Sequence, residues 1–204
     1  IDRTKRRLDE LRRHAGDRFF HTVESVQPLF EMILDDPRRD FRRYRSGFIW
    51  CLSCKLAMHT RGILYNLEKQ IPHMADGSSQ STGEMVEQTL LAIYMVRELY
   101  DRYGIKYRTP VYTIPRTTEI KSLKERGFKM GIRLLDRFLG IQPTCRPGEL
   151  YYLPFLVLNQ PPKHDEQKVA EFIELKSEVA HAHVAKVCEE RGMPTSIEAE
   201  EGDS

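Results

Sequence analysis

Residues 47–72 read GFIWCLSCKLAMHTRGILYNLEKQIP, and this stretch sets the fold class. Ile49, Leu52, Leu56, Ile63, Leu64, Leu67 and Ile71 recur so as to share one stripe of a helix. Cys51, Cys54 and Met58 fall together on a second side. A helix that is apolar on two sides belongs at the centre of a core. Gly47 and Pro72 bound it, and the polar run from Asp76 to Gln80 reads as a connector.

The flanking segments also carry helical periods. Residues 1–16 are dense in Arg, Asp and Glu, with Leu8, Leu11 and Ala15 at helical spacing, and read as a charged, partner-facing helix. From Asp17 to Leu34 the apolar positions Phe19, Phe20, Val23, Val26, Phe30, Ile33 and Leu34 predict a helix that Pro28 bends or divides. Ser81 followed by Glu84 is a capping-box pattern for a helix closed by Gly104, with Ala92, Val96, Leu99, Tyr100 and Tyr103 on its buried face. Residues 105–115, interrupted by Pro110 and Pro115, read as extended. Thr117 or Thr118 caps a further helix running to Gly140, and Leu150 to Leu158, broken by Pro154, reads as a second short extended piece. After Pro161 and Pro162 a last helix runs to Gly192. Residues 193–204 form an acidic, disordered tail. The expectation is a mainly α protein, a bundle of about five to six helices with two short extended segments, in which residues 17–192 make one domain.

With 40% hydrophobic and 30% charged residues, the 204-residue chain is neither a membrane nor a typical disordered sequence. No apolar run approaches the roughly 18–20 residues that span a bilayer, so a soluble protein is expected. Four unevenly spaced cysteines and seven methionines suit reduced thiols inside a cell, in the cytosol or the mitochondrial matrix. The chain opens on Ile1, so a cleaved or trimmed upstream segment stays open.

The net charge of +2 conceals a split, because 27 of the 32 Lys/Arg but only 19 of the 30 Asp/Glu lie in residues 1–162. Residues 102–146 alone hold eleven cations against Glu119, Glu125 and Asp136. Four of those cations, Arg126, Lys129, Arg133 and Arg137, line one side of the helix expected over 117–140. They lie beside a core stripe of Ile120, Leu123, Met130, Leu134 and Phe138. Like charges three or four residues apart repel by a few tenths of a kcal/mol per pair, so the row calls for a counter-charge. Gly127 and Gly131 on the core side suggest that another backbone packs closely there. A second patch joins Arg38, Arg39, Arg42, Arg43 and Arg45, with Phe41 and Tyr44 interleaved. Arginine forks suit phosphate, and Tyr103, Tyr107 and Tyr112 offer stacking faces. The competing anion is internal: Glu171, Glu174 and Glu178 make an acidic row on the last helix. That row could clasp Arg126 and Arg133 within the chain or between two copies.

Trp50-Cys51-Leu52-Ser53-Cys54-Lys55 resembles the WCxxCK redox motif of thioredoxins. Tyr103-Gly104-Ile105-Lys106, leading to Thr109-Pro110, is similar to that family's segment before its cis-proline. The resemblance implies that Cys51 attacks disulfides and Cys54 resolves the mixed disulfide. It also implies a buried strand before Trp50, where the sequence is rich in arginine. For a metal, Cys145 and Cys188 stand alone. His181 and His183 diverge by about 200° on a helix, so no ligand set forms. No cofactor is expected, and Walker A, GxGxxG, HExxH and GxSxG patterns are missing.

The function expected from the sequence is therefore a non-catalytic structural subunit of a larger assembly with other proteins. Most concretely it is an accessory ribonucleoprotein component of ribosomal type that holds RNA phosphates. The alternatives are a protein-only scaffold or accessory subunit of a membrane-bound or viral complex, and a thioredoxin-like thiol oxidoreductase using Cys51 and Cys54.

Overall fold

A computed structural model of the chain describes residues 2–83, 85–128, 146–158 and 163–197. Eight helices appear among them: α1 (Asp2–Ala15), α2 (Gln27–Ile33), α3 (Pro37–Tyr44), α4 (Phe48–Lys69), α5 (Leu90–Asp101), α6 (Arg116–Glu125), α7 (Arg146–Leu158) and α8 (Glu166–Arg191). Strands β1 (His73–Ala75) and β2 (Lys106–Arg108) complete the set, and the protein is mainly helical, as its periodicity predicts. The chain divides into two compact units, Ile1–Ser25 with Pro115–Cys145, and Val26–Ile114 with Arg146–Ser204.

In the larger unit α4 is the central helix. Ile49, Leu52, Leu56, Ile63 and Leu67 are all at most 2% exposed, and the helix packs against α8, α2, α3, α5 and α7. Its C-terminal turn is closed by Gln70 in a left-handed conformation (φ 54°), whose side chain donates to the Leu67 carbonyl at 2.6 Å. The buried Asn66 amide then donates to the carbonyls of Ile71 (2.8 Å) and His73 (2.9 Å), which turns the chain into β1. β1 pairs in parallel with β2 through His73↔Lys106, Met74↔Tyr107 and Ala75↔Arg108. A parallel pair needs a long crossover, and α5 supplies it. α8 lies along α4, burying Val169, Phe172, Ile173, Ala180, Val184 and Cys188.

Several local expectations change. Residues 19–26 are not helical, and Pro28 sits in the first turn of α2, where its missing N–H costs nothing, instead of bending a longer helix. α5 begins at Leu90, capped by Thr89, whose hydroxyl accepts from the Ala92 N–H at 3.3 Å. Ser81 lies in a 3-10 turn (Gln80–Thr82), and Glu84 is outside the described residues. Leu150 to Leu158 belongs to a helix, not to an extended segment. The second extended segment is instead β1, directly after Pro72.

Gly104 holds a left-handed φ of 68° after α5, and a Cβ built there would stand 2.1 Å from the Ile197 carbonyl oxygen. That segment is tied down by the Ile197 N–H donating to the Tyr103 carbonyl at 2.9 Å. Gly104→Ala is therefore expected to cost about 1–3 kcal/mol, from both the backbone conformation and the displaced 193–197 segment. Urea unfolding of the variant with an unchanged midpoint would refute this.

In the smaller unit α1 carries basic residues in its last turn, and His14 stacks on Phe128 with ring centroids 4.4 Å apart. α6 buries none of its residues. It stops at Glu125, and Gly127 takes φ 81° just beyond its C-cap Arg126. Gly127 thus ends the helix, where the sequence reading has it admit a neighbouring backbone.

Candidate functional site

Five exposed arginines lie on α3 and at its C-cap, and the geometry of this helix is decided at both ends. Asp36 caps it by accepting from the Arg39 N–H at 2.8 Å, and Pro37 pre-sets the first turn. At the other end Arg45 takes a left-handed backbone conformation (φ 53°) while its N–H donates to the Phe41 carbonyl at 2.8 Å. Asp40 and Tyr44 form the buried face. Arg38 forms the exposed one with Phe41 and Arg42, which stand three and four residues beyond it, and Arg45 closes the line at the C-cap.

This arrangement separates the four arginines of the second expected patch. Arg39 is bound to Asp35 at 3.0 and 3.3 Å and lies 3.5 Å from Asp40. Arg43 pairs with Glu171 of α8 and covers the Tyr44 ring, 5.4 Å from its centroid. Arg38 and Arg42 are exposed, and neither has a partner among the described residues; the same holds for Arg45. Phe41 is 44% exposed and leans on the half-buried Trp50, with ring centroids 6.1 Å apart.

The first expected patch does not form one described row. Arg126 is the exposed residue after α6, and Lys129, Arg133 and Arg137 lie outside the described residues. The acidic row finds other partners within its own unit. Glu171 meets Arg43, and Glu178 accepts from Arg102 at 2.7 Å. Glu174 lines a shallow depression of about 270 Å³ with Met95, Glu98, Leu99, Arg102 and Ser177.

Cys51 and Cys54 are half-buried cysteines inside α4, and neither is in a disulfide. The strand that the thioredoxin resemblance implies before Trp50 is replaced by α3, and α4 already begins at Phe48. Cys51 is thus the fourth helical residue and stands past the free N–H groups that stabilise a thiolate at a helix start.

Two buried charge clusters escape the sequence reading. In one, the Asp76 carboxylate accepts from the Ser78 N–H (2.9 Å), the Ser78 hydroxyl (3.0 Å), the Tyr107 hydroxyl (2.6 Å) and the Lys55 ammonium (3.2 Å). Lys55 also donates to Ser78 Oγ at 2.9 Å. His59 stands beside this group, its Nε2 3.6 Å from Asp76 and its Nδ1 3.2 Å from the Tyr100 hydroxyl. Burial and the charge of Lys55 push the imidazole down to about 3, so it is neutral in the fold. Burial also raises the Tyr100 and Tyr107 phenols, the latter further through its bond to Asp76. In the other cluster, Lys176 of α8 reaches Asp40 at 2.7 Å and Asp35 at 3.1 Å. Lys55 and Lys176 both occupy core positions in their helices' apolar period, and that mismatch is the signal by which sequence could have found them. In each cluster a buried ammonium is held by carboxylates from another element of the fold, so the pairs tie those elements together.

Among the described residues no group of three or more His, Cys, Asp or Glu side chains is placed to hold a metal ion, and no helix is long and apolar enough to cross a membrane. The chain matches no protein-family model, no curated protein and no solved structure.

Proposed function

We propose that this protein is a non-catalytic structural subunit of a larger assembly that meets RNA through the exposed face of α3. An accessory ribonucleoprotein component, in the cytosol or the mitochondrial matrix, is its concrete form. The observation that supports this reading is the division of labour on α3. Arg39 and Arg43 are spent on Asp35 and Glu171, whereas Arg38, Arg42 and Arg45 are exposed and have no partner among the described residues. Cations in the last turn of a helix are favoured by its dipole, which accounts for Arg42. It does not account for Arg38, which sits in the first turn, at the wrong end for a cation.

A second surface favours protein partners for the same chain. Leu150, Leu153, Val157 and Leu158 of α7 are 71%, 52%, 73% and 66% exposed, an apolar density that suits contact with a neighbouring subunit.

The test is binding of RNA to the whole chain as a function of salt. Arg38→Glu with Arg42→Glu is expected to weaken binding across all sequences. It should also flatten the slope of log K against log salt by about 1.4, from about 0.7 per lost phosphate contact. Binding that ignores salt, or that the double variant leaves intact, would overturn the reading.

A further inference from the structure

We propose that the α3 face is a single-strand platform, on which one unpaired base stacks against Phe41 while the flanking phosphates lie on Arg38, Arg42 and Arg45. The proposal rests on the RNA reading above and narrows it from polyanion contact to recognition of unstacked bases. A duplex offers phosphates but keeps its base faces inside the stack, so an exposed aromatic ring beside cations contributes only to a single strand.

Three observations carry it. The first is the placement of the ring. Phe41 flanks a line of cations on the exposed side of α3 that runs about 10 Å from Arg38 to Arg45, lying about 60° around the helix from Arg38 and on the side away from Arg42. Its face is open enough to stack, at 44% exposure, and Trp50 supports it from the protein side. The platform is therefore formed before a ligand arrives. The second is the fixing of the intervening arginines: Arg39 and Arg43 are held by carboxylates, so the line consists of the cations that the fold does not use.

The third is the backbone of Arg45. Only two non-glycine residues among those described have a left-handed φ, Arg45 and Gln70. Gln70 offsets that conformation by a hydrogen bond from its own side chain to the turn it closes. The Arg45 side chain makes no such bond among the described residues, at a position where glycine is the ordinary choice. A side chain kept at a conformational cost, with no internal partner, points to an external one.

The experiment uses the full chain with a mixed-sequence RNA of about 12 nucleotides, single-stranded or annealed to its complement, and with poly-glutamate as a second polyanion. Trp50 is the only tryptophan in the sequence, so its emission reports on the Phe41 side of the site directly. The single strand is expected to bind at least about 10-fold more tightly than the duplex and to change Trp50 emission. Phe41→Ala should lose about 5-fold or more of single-strand affinity, leave duplex affinity unchanged, and be rescued by Phe41→Trp. Arg45→Gly separates binding from folding. It should raise the melting temperature by about 2–4 °C while weakening RNA binding, a pairing that a purely structural arginine would not give.

Equal affinity for single strand and duplex, with Phe41→Ala silent, would overturn the platform and leave the phosphate reading standing. No RNA binding at all, or tighter binding of poly-glutamate than of RNA, would remove both.

Discussion

Lys176→Ala is expected to destabilise the protein by about 3–5 kcal/mol and to lower its melting temperature by roughly 10 °C or more. Lys176 is 1% exposed, and its ammonium bridges Asp40 at 2.7 Å and Asp35 at 3.1 Å. Asp40 is itself 1% exposed. The Lys176–Asp40 contact is short but poorly aligned as a hydrogen bond, so Asp40 Oδ2 is held by charge. Without the ammonium, that buried carboxylate keeps only the half-exposed Arg39, 3.5 Å away, and much of its desolvation goes uncompensated. Two further readouts identify the mechanism. The Asp35 carboxyl, which burial would raise, is held below 3.8 by the hydrogen bond and charge of Lys176, so it should titrate higher in the variant. The double substitution Lys176→Met with Asp40→Leu removes both charges, and its cost should fall well short of the two single costs combined. Additive costs, or a melting temperature within about 2 °C of the parent, would show that the pair contributes nothing specific.

The same pair illustrates what the sequence could and could not say. α4 and α8 are legible because long stripes of Leu, Ile, Val and Phe at a 3.6 period leave no other solution, and both end where Pro72 and Gly192 predict. α7 misleads because Leu150 to Leu158 is aromatic and apolar with a proline in its midst, which locally argues for an extended piece. Its anchors are remote: the Tyr151 hydroxyl lies 3.1 Å from Ser46 Oγ, and the Tyr152 hydroxyl accepts from the Val86 N–H at 3.0 Å. No window along the chain contains both ends of such a bond.

Charge is harder still. Arg43 and Glu171 are 128 residues apart and Lys176 and Asp35 are 141, so the sequence shows cations without showing which are already spent. All four arginines of the α3 patch are exposed, but Arg39 and Arg43 are paired with Asp35 and Glu171, while Arg38 and Arg42 have no partner among the described residues. Arg45 is visible in the sequence only as one more basic residue; its left-handed backbone is a property of where α3 stops.

Acid is expected to unfold the protein through the cluster around Asp76, and Asp76→Ala should cost about 3–5 kcal/mol at neutral pH. The carboxylate accepts four hydrogen bonds, from Lys55, Tyr107 and twice from Ser78, and so ties α4 to β2 and to the loop after β1. Its loss leaves a lysine that is 5% exposed with the Ser78 hydroxyl alone. Two groups set the pH dependence. Burial disfavours the Asp76 carboxylate, but the bonds from Tyr107 and Ser78 and the charge of Lys55 outweigh it and hold its pKa below 3.8. Its contribution is therefore present above the unfolded pKa and is lost only as the pH falls through the folded one. His59 acts earlier. Its folded pKa is pushed down to about 3, chiefly by burial, so the native imidazole stays neutral while the unfolded chain takes up a proton below about 6.5. Unfolding then binds a proton, and stability falls by about 1.4 kcal/mol per pH unit from about 6.5 down toward the folded value. Between pH 7.5 and 5 this amounts to about 2 kcal/mol, which His59→Gln should largely abolish because glutamine cannot titrate there. Urea midpoints for the parent and the His59→Gln variant across that range measure the difference directly. Parallel curves would show that the imidazole titrates in the native core as it does in the unfolded chain, with Asp76 at 3.6 Å offsetting burial; a parent that gains stability relative to the variant as the pH falls would show it protonated in the fold.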